Sequence, residues 1–170
     1  MKTTFSSSTE LSVFSRTNHE QEILLERFVR ILMKHGDKSM ARRTLQKALR
    51  IAKHLVLPAS SICPSTTEFL EQVILHVRPS VEVRRVRVAG TVYQTPSIVP
   101  GYRQDTLAFR WLIEGGRQRH HGGGYNKGFS AGLGQELADA WNKQGYARKK
   151  RDDLHRLAEA NRAYAHYRWW

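Results

Sequence analysis

Cations, rather than acid–base pairs, are the residues of this chain whose spacing suggests chemistry. Arg84, Arg85 and Arg87 crowd one short β-favouring stretch, and Arg148, Lys149, Lys150 and Arg151 form a run near the C-terminus. Arg103, Arg110 and Arg117 recur every seven residues, which places them on one side of a helix. Lys38 and Arg42 sit where a loop gives way to a helical pattern. Groups of this kind neutralise phosphates. The carboxylates Glu82, Asp105, Glu114, Asp139, Asp152, Asp153 and Glu159 lie mostly among cations at helical spacing. That pattern reads as ion pairing within the chain, not as paired acid–base work. The histidines are scattered, and no nucleophile–base pair can be assembled from them. Cys63 is the single cysteine, which excludes an internal disulfide framework and a Cys-based metal site. His120-His121 has no third ligand at a metal-binding spacing, so an exposed loop is the expected setting. The glycine-rich run from His120 to Gly134 lacks a following Gly-Lys-Ser/Thr and a preceding strand, which argues against a phosphate loop. The expectation is a protein with no catalytic residues, no metal and no cofactor.

The totals agree. Over 170 residues there are 28 Lys+Arg against 15 Asp+Glu, a net charge of +13. Such a charge repels itself unless something neutralises it, so a polyanionic partner is implied, nucleic acid or an anionic membrane surface. A hydrophobic content of 40% is enough for one core. No apolar run is long enough for a membrane span. The first 20 residues lack the apolar core of a secretory signal.

The elements that must position these cations are mostly helical. Residues 1–17 read as a flexible segment. A first helix is expected from Glu20 to His35, capped by Asn18 and stopped at Gly36; Leu24, Phe28, Ile31 and Leu32, widened by Leu25, Val29 and Met33, predict a central position. Ser39 is expected to cap a second helix ending at Val56, with Leu45, Ala48, Leu49 and Ala52 inward. Ser65 and Glu68 form a capping box for a third, whose stripe is Leu70, Val73, Ile74 and Val77. Helix four is expected over Arg103–Arg119, with Leu107, Ala108, Trp111, Leu112 and Gly115 inward. Phe129, Leu133, Leu137 and Trp141 suggest a fifth helix, weakened by its glycines and closed by Gly145. Arg148 to Trp170 supplies a sixth, whose leading cations oppose its dipole and so suggest an external anion. Its aromatic finish, Tyr164, Tyr167, Trp169 and Trp170, either stacks on bases or pins the tail.

Between helices three and four, Val81–Val99 reads as β. Val81 and Val83 alternate with charged residues, and Val86 and Val88 alternate in the other phase, which predicts a bulge. Ala89-Gly90 suits a tight turn and Pro96 an outer edge. The fold class expected is mainly α: a six-helix domain over residues 18–170 with one protruding two-stranded antiparallel β hairpin at 81–99.

Particular residues carry a family resemblance. They are Val77-Arg78-Pro79-Ser80-Val81-Glu82-Val83, then Tyr93-Gln94 with Pro96, then Leu107-Ala108-Phe109-Arg110-Trp111. The terminal run Lys149-Lys150-Arg151, Leu154-His155-Arg156, Ala158-Glu159-Ala160-Asn161-Arg162 and Ala165-His166-Tyr167-Arg168-Trp169 carries it furthest. Over Glu20 to Trp170 the chain resembles the S-seven family of small-subunit ribosomal proteins. Val88-Ala89-Gly90-Thr91 and the closing Trp169-Trp170 look like its mitochondrial branch. The resemblance implies a structural protein that binds the 3′ major domain of small-subunit ribosomal RNA and nucleates assembly of the subunit head. It would lie near the exit site for tRNA and mRNA and among neighbouring small-subunit ribosomal proteins. The implied location is the mitochondrial matrix, with a bacterial or plastid ribosome as the alternative. By position, Lys38 falls in the RNA-contacting loop between helices one and two, Arg84, Arg85 and Arg87 on the hairpin, Arg103, Arg110 and Trp111 on helix four, and Lys149, Lys150 and Arg151 at the start of helix six. Arg42, Arg117 and Arg148 complete the expected RNA-binding set. Bacterial members carry a strongly basic N-terminal arm; residues 1–17 here offer only Lys2 and Arg16. His120–Asn126 looks like a short insertion. The residues alone also fit an architectural DNA-binding protein with a basic β arm.

Overall fold

The structure, a computed structural model, describes residues 22–56, 65–122 and 128–169. The expected flexible segment at 1–17, the Asn18 cap, Cys63 and Trp170 lie outside them. The described residues form six α-helices, one antiparallel hairpin and a C-terminal 3-10 helix. The mainly α class with a hairpin is therefore observed.

Helix α1 covers 22–32 and α2 Lys38–Val56. The reversal between them uses two consecutive left-handed residues, His35 (φ 54°) and Gly36 (φ 81°), so α1 stops earlier than expected. Asp37, not Ser39, caps α2: its Oδ1 accepts from the Met40 N–H and the Ser39 hydroxyl, both at 3.0 Å. Helix α3, Thr66–Val77, starts at the expected capping box, with the Ser65 N–H donating to Glu68 Oε2 at 2.7 Å. All four of its predicted inward residues are buried, as is Phe69.

Helix α4 spans Gly101–Gly122 and is longer than expected at both ends, which makes His120 and His121 helical rather than loop residues. Helix α5, Phe129–Trp141, is central, with seven of its residues buried. It touches α2, α3, α4 and α6, and α1 adds Phe28, Val29 and Leu32 to the same buried core, with Leu24, Leu25 and Ile31 partly buried against it. The glycines that weaken α5 as an isolated helix are what let it sit there. A Cβ at Gly132 would lie 2.7 Å from the Gly116 carbonyl oxygen, and one at Gly134 would lie 2.9 Å from that of Ala48. Stacked pairs Phe28–Phe109 and Phe69–Trp141, each with centroids 4.8 Å apart, anchor the core on either side.

Strands β1 (Val81–Val88) and β2 (Thr91–Ile98) pair without interruption from Val81↔Ile98 to Val88↔Thr91. No bulge is present. The phase shift in the sequence instead records a charged residue on the inner face: Glu82 is buried beside Val86 on β1, opposite buried Thr95 and Ser97 on β2. Ala89 (φ 48°) and Gly90 (φ 86°) close the turn. Counting outward from a two-residue turn, Val83 and Pro96 form a pair that exchanges no ladder bonds, where proline's missing N–H costs nothing.

Helix α6 begins at Gly145 and ends at Ala160, before Asn161 and Ala165 of the expected helical face. The chain then turns through a 3-10 helix, Arg162–Tyr167. Helix α5 had closed earlier, at Asn142 and left-handed Lys143, and Gly145 (φ 92°) opens α6 instead.

Candidate nucleic-acid interface

The structure divides the predicted cations into those held by the fold and those turned away from it. Glu82, buried at the root of the hairpin, accepts from Arg84 Nε and Arg103 Nε at 2.7 Å each, tying β1 to the start of α4. Burial opposes its charge, but the Arg103 and Arg84 hydrogen bonds prevail and hold the carboxyl below its ordinary range. Arg84 thus shares the inner face with Val86. Arg85 and Arg87 project from the opposite face, are exposed, and make no ion pair with any described residue.

Helix α4 continues the pattern. Arg110 and Arg117 are exposed, with no carboxylate of the described residues in reach. From Arg103 to Arg117 is fourteen residues, roughly 21 Å at 1.5 Å per residue. Trp111 is partly buried and packs against the core. Beside this row Arg27 of α1 donates to Asp105 Oδ2 at 3.1 Å and stacks 4.3 Å from the Tyr102 ring centroid. No sequence signal singled out Arg27, because its partners lie more than seventy positions away. Lys38 and Arg42 both reach Glu26 Oε1, at 3.0 and 3.1 Å, and remain about half exposed.

The run at the start of α6 splits as well. Arg148 Nη1 and Arg151 Nη1 donate to the His76 carbonyl at 2.9 and 3.0 Å, and both pair with Asp152. His76 lies in the last turn of α3, where carbonyls lack helical partners and the dipole is negative. These two cations oppose the dipole of α6 but satisfy that of α3, so for them no external anion is needed. Asp152 keeps its carboxyl below the ordinary value, burial being outweighed by Arg148 and Arg151. Lys149 stays exposed with no ion-pair partner among the described residues, and Lys150 lies over the Tyr146 ring at 5.3 Å.

A second hub escaped sequence reasoning. Glu136, fully buried in α5, accepts from Arg119 Nε and from the Ala147 N–H, each at 2.8 Å, and Arg119 also binds Asp139. A carboxylate next to Leu137, on the face that Leu133 and Leu137 bury, was the available signal. The ion pairing expected of the carboxylates is found for Glu82, Asp105, Asp139, Asp152 and Asp153.

The tail braces the hairpin. Tyr93 on β2 meets Tyr164 and Tyr167 at centroid distances of 5.1 and 4.8 Å, while Trp169 is 82% exposed. Pinning thus accounts for two of the four terminal aromatics. Among the described residues no group of three His, Cys, Asp or Glu side chains is placed to hold a metal, and no helix is long and apolar enough to cross a membrane. The described residues present exposed cations on the hairpin, α4 and α6.

Residues 4–162 match the family described as ribosomal protein S7p/S5e. The chain is 38% identical over 169 residues to small ribosomal subunit protein uS7m of Marchantia polymorpha, covering 98% of this chain and 69% of that protein. It is 41% identical over 145 residues to small ribosomal subunit protein uS7 of Baumannia cicadellinicola subsp. Homalodisca coagulata, with 85% and 86% covered. Against uS7 of Chlamydia felis (strain Fe/C-56) identity is 41% over 148 residues, with 86% and 87% covered.

Proposed function

The chain belongs to the ribosomal protein S7p/S5e family of structural, non-enzymatic ribosomal proteins, and from that premise we propose that it binds the 3′ major domain of small-subunit ribosomal RNA through its outward cations. In this reading it nucleates assembly of the subunit head, touches neighbouring small-subunit proteins, and holds its hairpin near exit-site tRNA and mRNA. The supporting observation is the set of exposed arginines Arg85, Arg87, Arg110 and Arg117, which have no ion-pair partner among the described residues, on a chain of net charge +13. Each such cation neutralises a phosphate and releases counterions, so affinity falls steeply with salt. Folded RNA is recognised by shape and backbone more than by base edges. Placement in the mitochondrial matrix is part of the proposal, supported by the uS7m relative and by the closing Trp169-Trp170.

The test is co-sedimentation with small subunits, followed by mapping of the RNA nucleotides the protein protects. Protection confined to the 3′ major domain is expected; protection elsewhere, or none, overturns the reading. Competition between duplex DNA and small-subunit RNA at matched salt separates it from an architectural DNA-binding role. Isolation of mitochondria tests the location.

A further inference from the structure

At the far end of the α4 arginine row lies a cleft of about 560 Å³. The α1–α2 reversal, the C-terminal half of α4 and the first residue of α5 enclose it. Its floor is apolar: Leu32, Ala41 and Phe129, with the exposed side chain of Met40 at the edge. Its rim carries Lys34, His35, Arg117 and His120. Asp37 is the one carboxylate lining it, and that side chain caps α2. Lys34 and Arg117 have no ion-pair partner among the described residues. An apolar floor under a cationic rim suits a ligand that is flat and apolar at one end and anionic at the other.

We propose that this cleft takes an unstacked nucleobase from a single-stranded RNA segment, with the adjoining phosphates on Lys34 and Arg117. The inference rests on the RNA-binding reading above and adds a base-recognising site to it. Single-stranded RNA exposes base faces that stack on aromatic side chains, here Phe129, whereas a duplex withholds them. The cleft's size falls in the roughly 300–1,000 Å³ range of ligand sites. The left-handed residues His35 and Gly36 make the reversal that joins α1 to α2, and residues of that reversal line the cleft.

Phosphate and base contributions are separated by comparing two probes of equal charge, nonauridylate and a nine-unit abasic ribose–phosphate chain, with the full-length protein. The native chain is expected to bind nonauridylate about tenfold more tightly than the abasic chain. Met40→Gln and Phe129→Leu are expected to shrink that ratio toward one while leaving abasic-chain affinity unchanged. Met40 is 58% exposed, so its substitution keeps the test valid if Phe129→Leu destabilises the fold. A purely structural effect would weaken both probes together. A ratio that is the same in the native protein and in Met40→Gln, or is already one in the native protein, overturns the proposal. Failure to bind either probe or small-subunit RNA overturns the RNA reading itself, whereas salt-dependent RNA binding with no base preference overturns only the cleft.

Discussion

Individual side chains of one type play opposite roles here. Arg84 neutralises a buried carboxylate, and Arg85, its neighbour, neutralises nothing in the described fold. Arg84→Ala is expected to cost about 1–2 kcal/mol by weakening the support of Glu82. Arg85→Ala with Arg87→Ala is expected to leave stability within about 0.5 kcal/mol. That pair should instead reduce the slope of log affinity against log salt by roughly one per lost phosphate contact. Urea unfolding and RNA titration of the same variants check both halves. Arg119 is a sharper case, since its removal strands a fully buried Glu136. Arg119→Met is expected to cost about 3–5 kcal/mol, with part recovered by adding Glu136→Gln. Single-residue roles were the least legible part of the sequence. Spacing identified which arginines share a helix face, but the partners that decide their roles, Glu82 for Arg103 and His76 for Arg148, are distant in the chain.

Elements were far more legible, because helical periodicity and turn chemistry are local. The α3 capping box and the Ala89-Gly90 turn were readable from a few adjacent residues. The bulge was misread because a buried Glu82 breaks the apolar alternation without breaking the register. The α5 glycines lower helix propensity, but propensity does not register how closely another helix approaches. Gly132→Ala gains up to about 1 kcal/mol in helix propensity. Yet its Cβ would meet a backbone oxygen at 2.7 Å, so a net loss of about 1–3 kcal/mol is expected by urea unfolding. The hairpin's attachment depends on pH as well. The Ser80 N–H donates to His155 Nε2 at 3.2 Å, which requires a neutral ring. Burial, then the nearby Arg151, lowers that imidazole's pKa. The unfolded chain therefore binds the proton first, and this stabilisation is complete above the unfolded value and fades as pH drops below about 6.5. Faster exchange of the Ser80 amide at pH 5.5 than at 7.5, after correction for intrinsic rates, is the expected signature; a Phe at position 155 should abolish the difference.

For the whole molecule, the +13 charge makes folding and binding respond to salt with opposite signs. Several ion pairs among the described residues are exposed, as at Glu26, where each contributes little. Repulsion among cations with no partner among the described residues, spread over the hairpin, α4 and α6, acts over longer distances and is what salt screens most. Raising salt from 50 to 500 mM is therefore expected to raise the melting temperature of the free protein. Over the same range its affinity for RNA should fall by orders of magnitude, because bound phosphates already supply the screening that salt would otherwise provide. The RNA complex should accordingly melt well above the free protein at low salt, and the gap should close as salt rises. Thermal melts of both forms across one salt series test the argument. If the free protein instead melts lower in high salt, intrachain pairs such as Arg119–Glu136 and Arg103–Glu82 outweigh the repulsion, and the positive face is held by the fold without needing a polyanion.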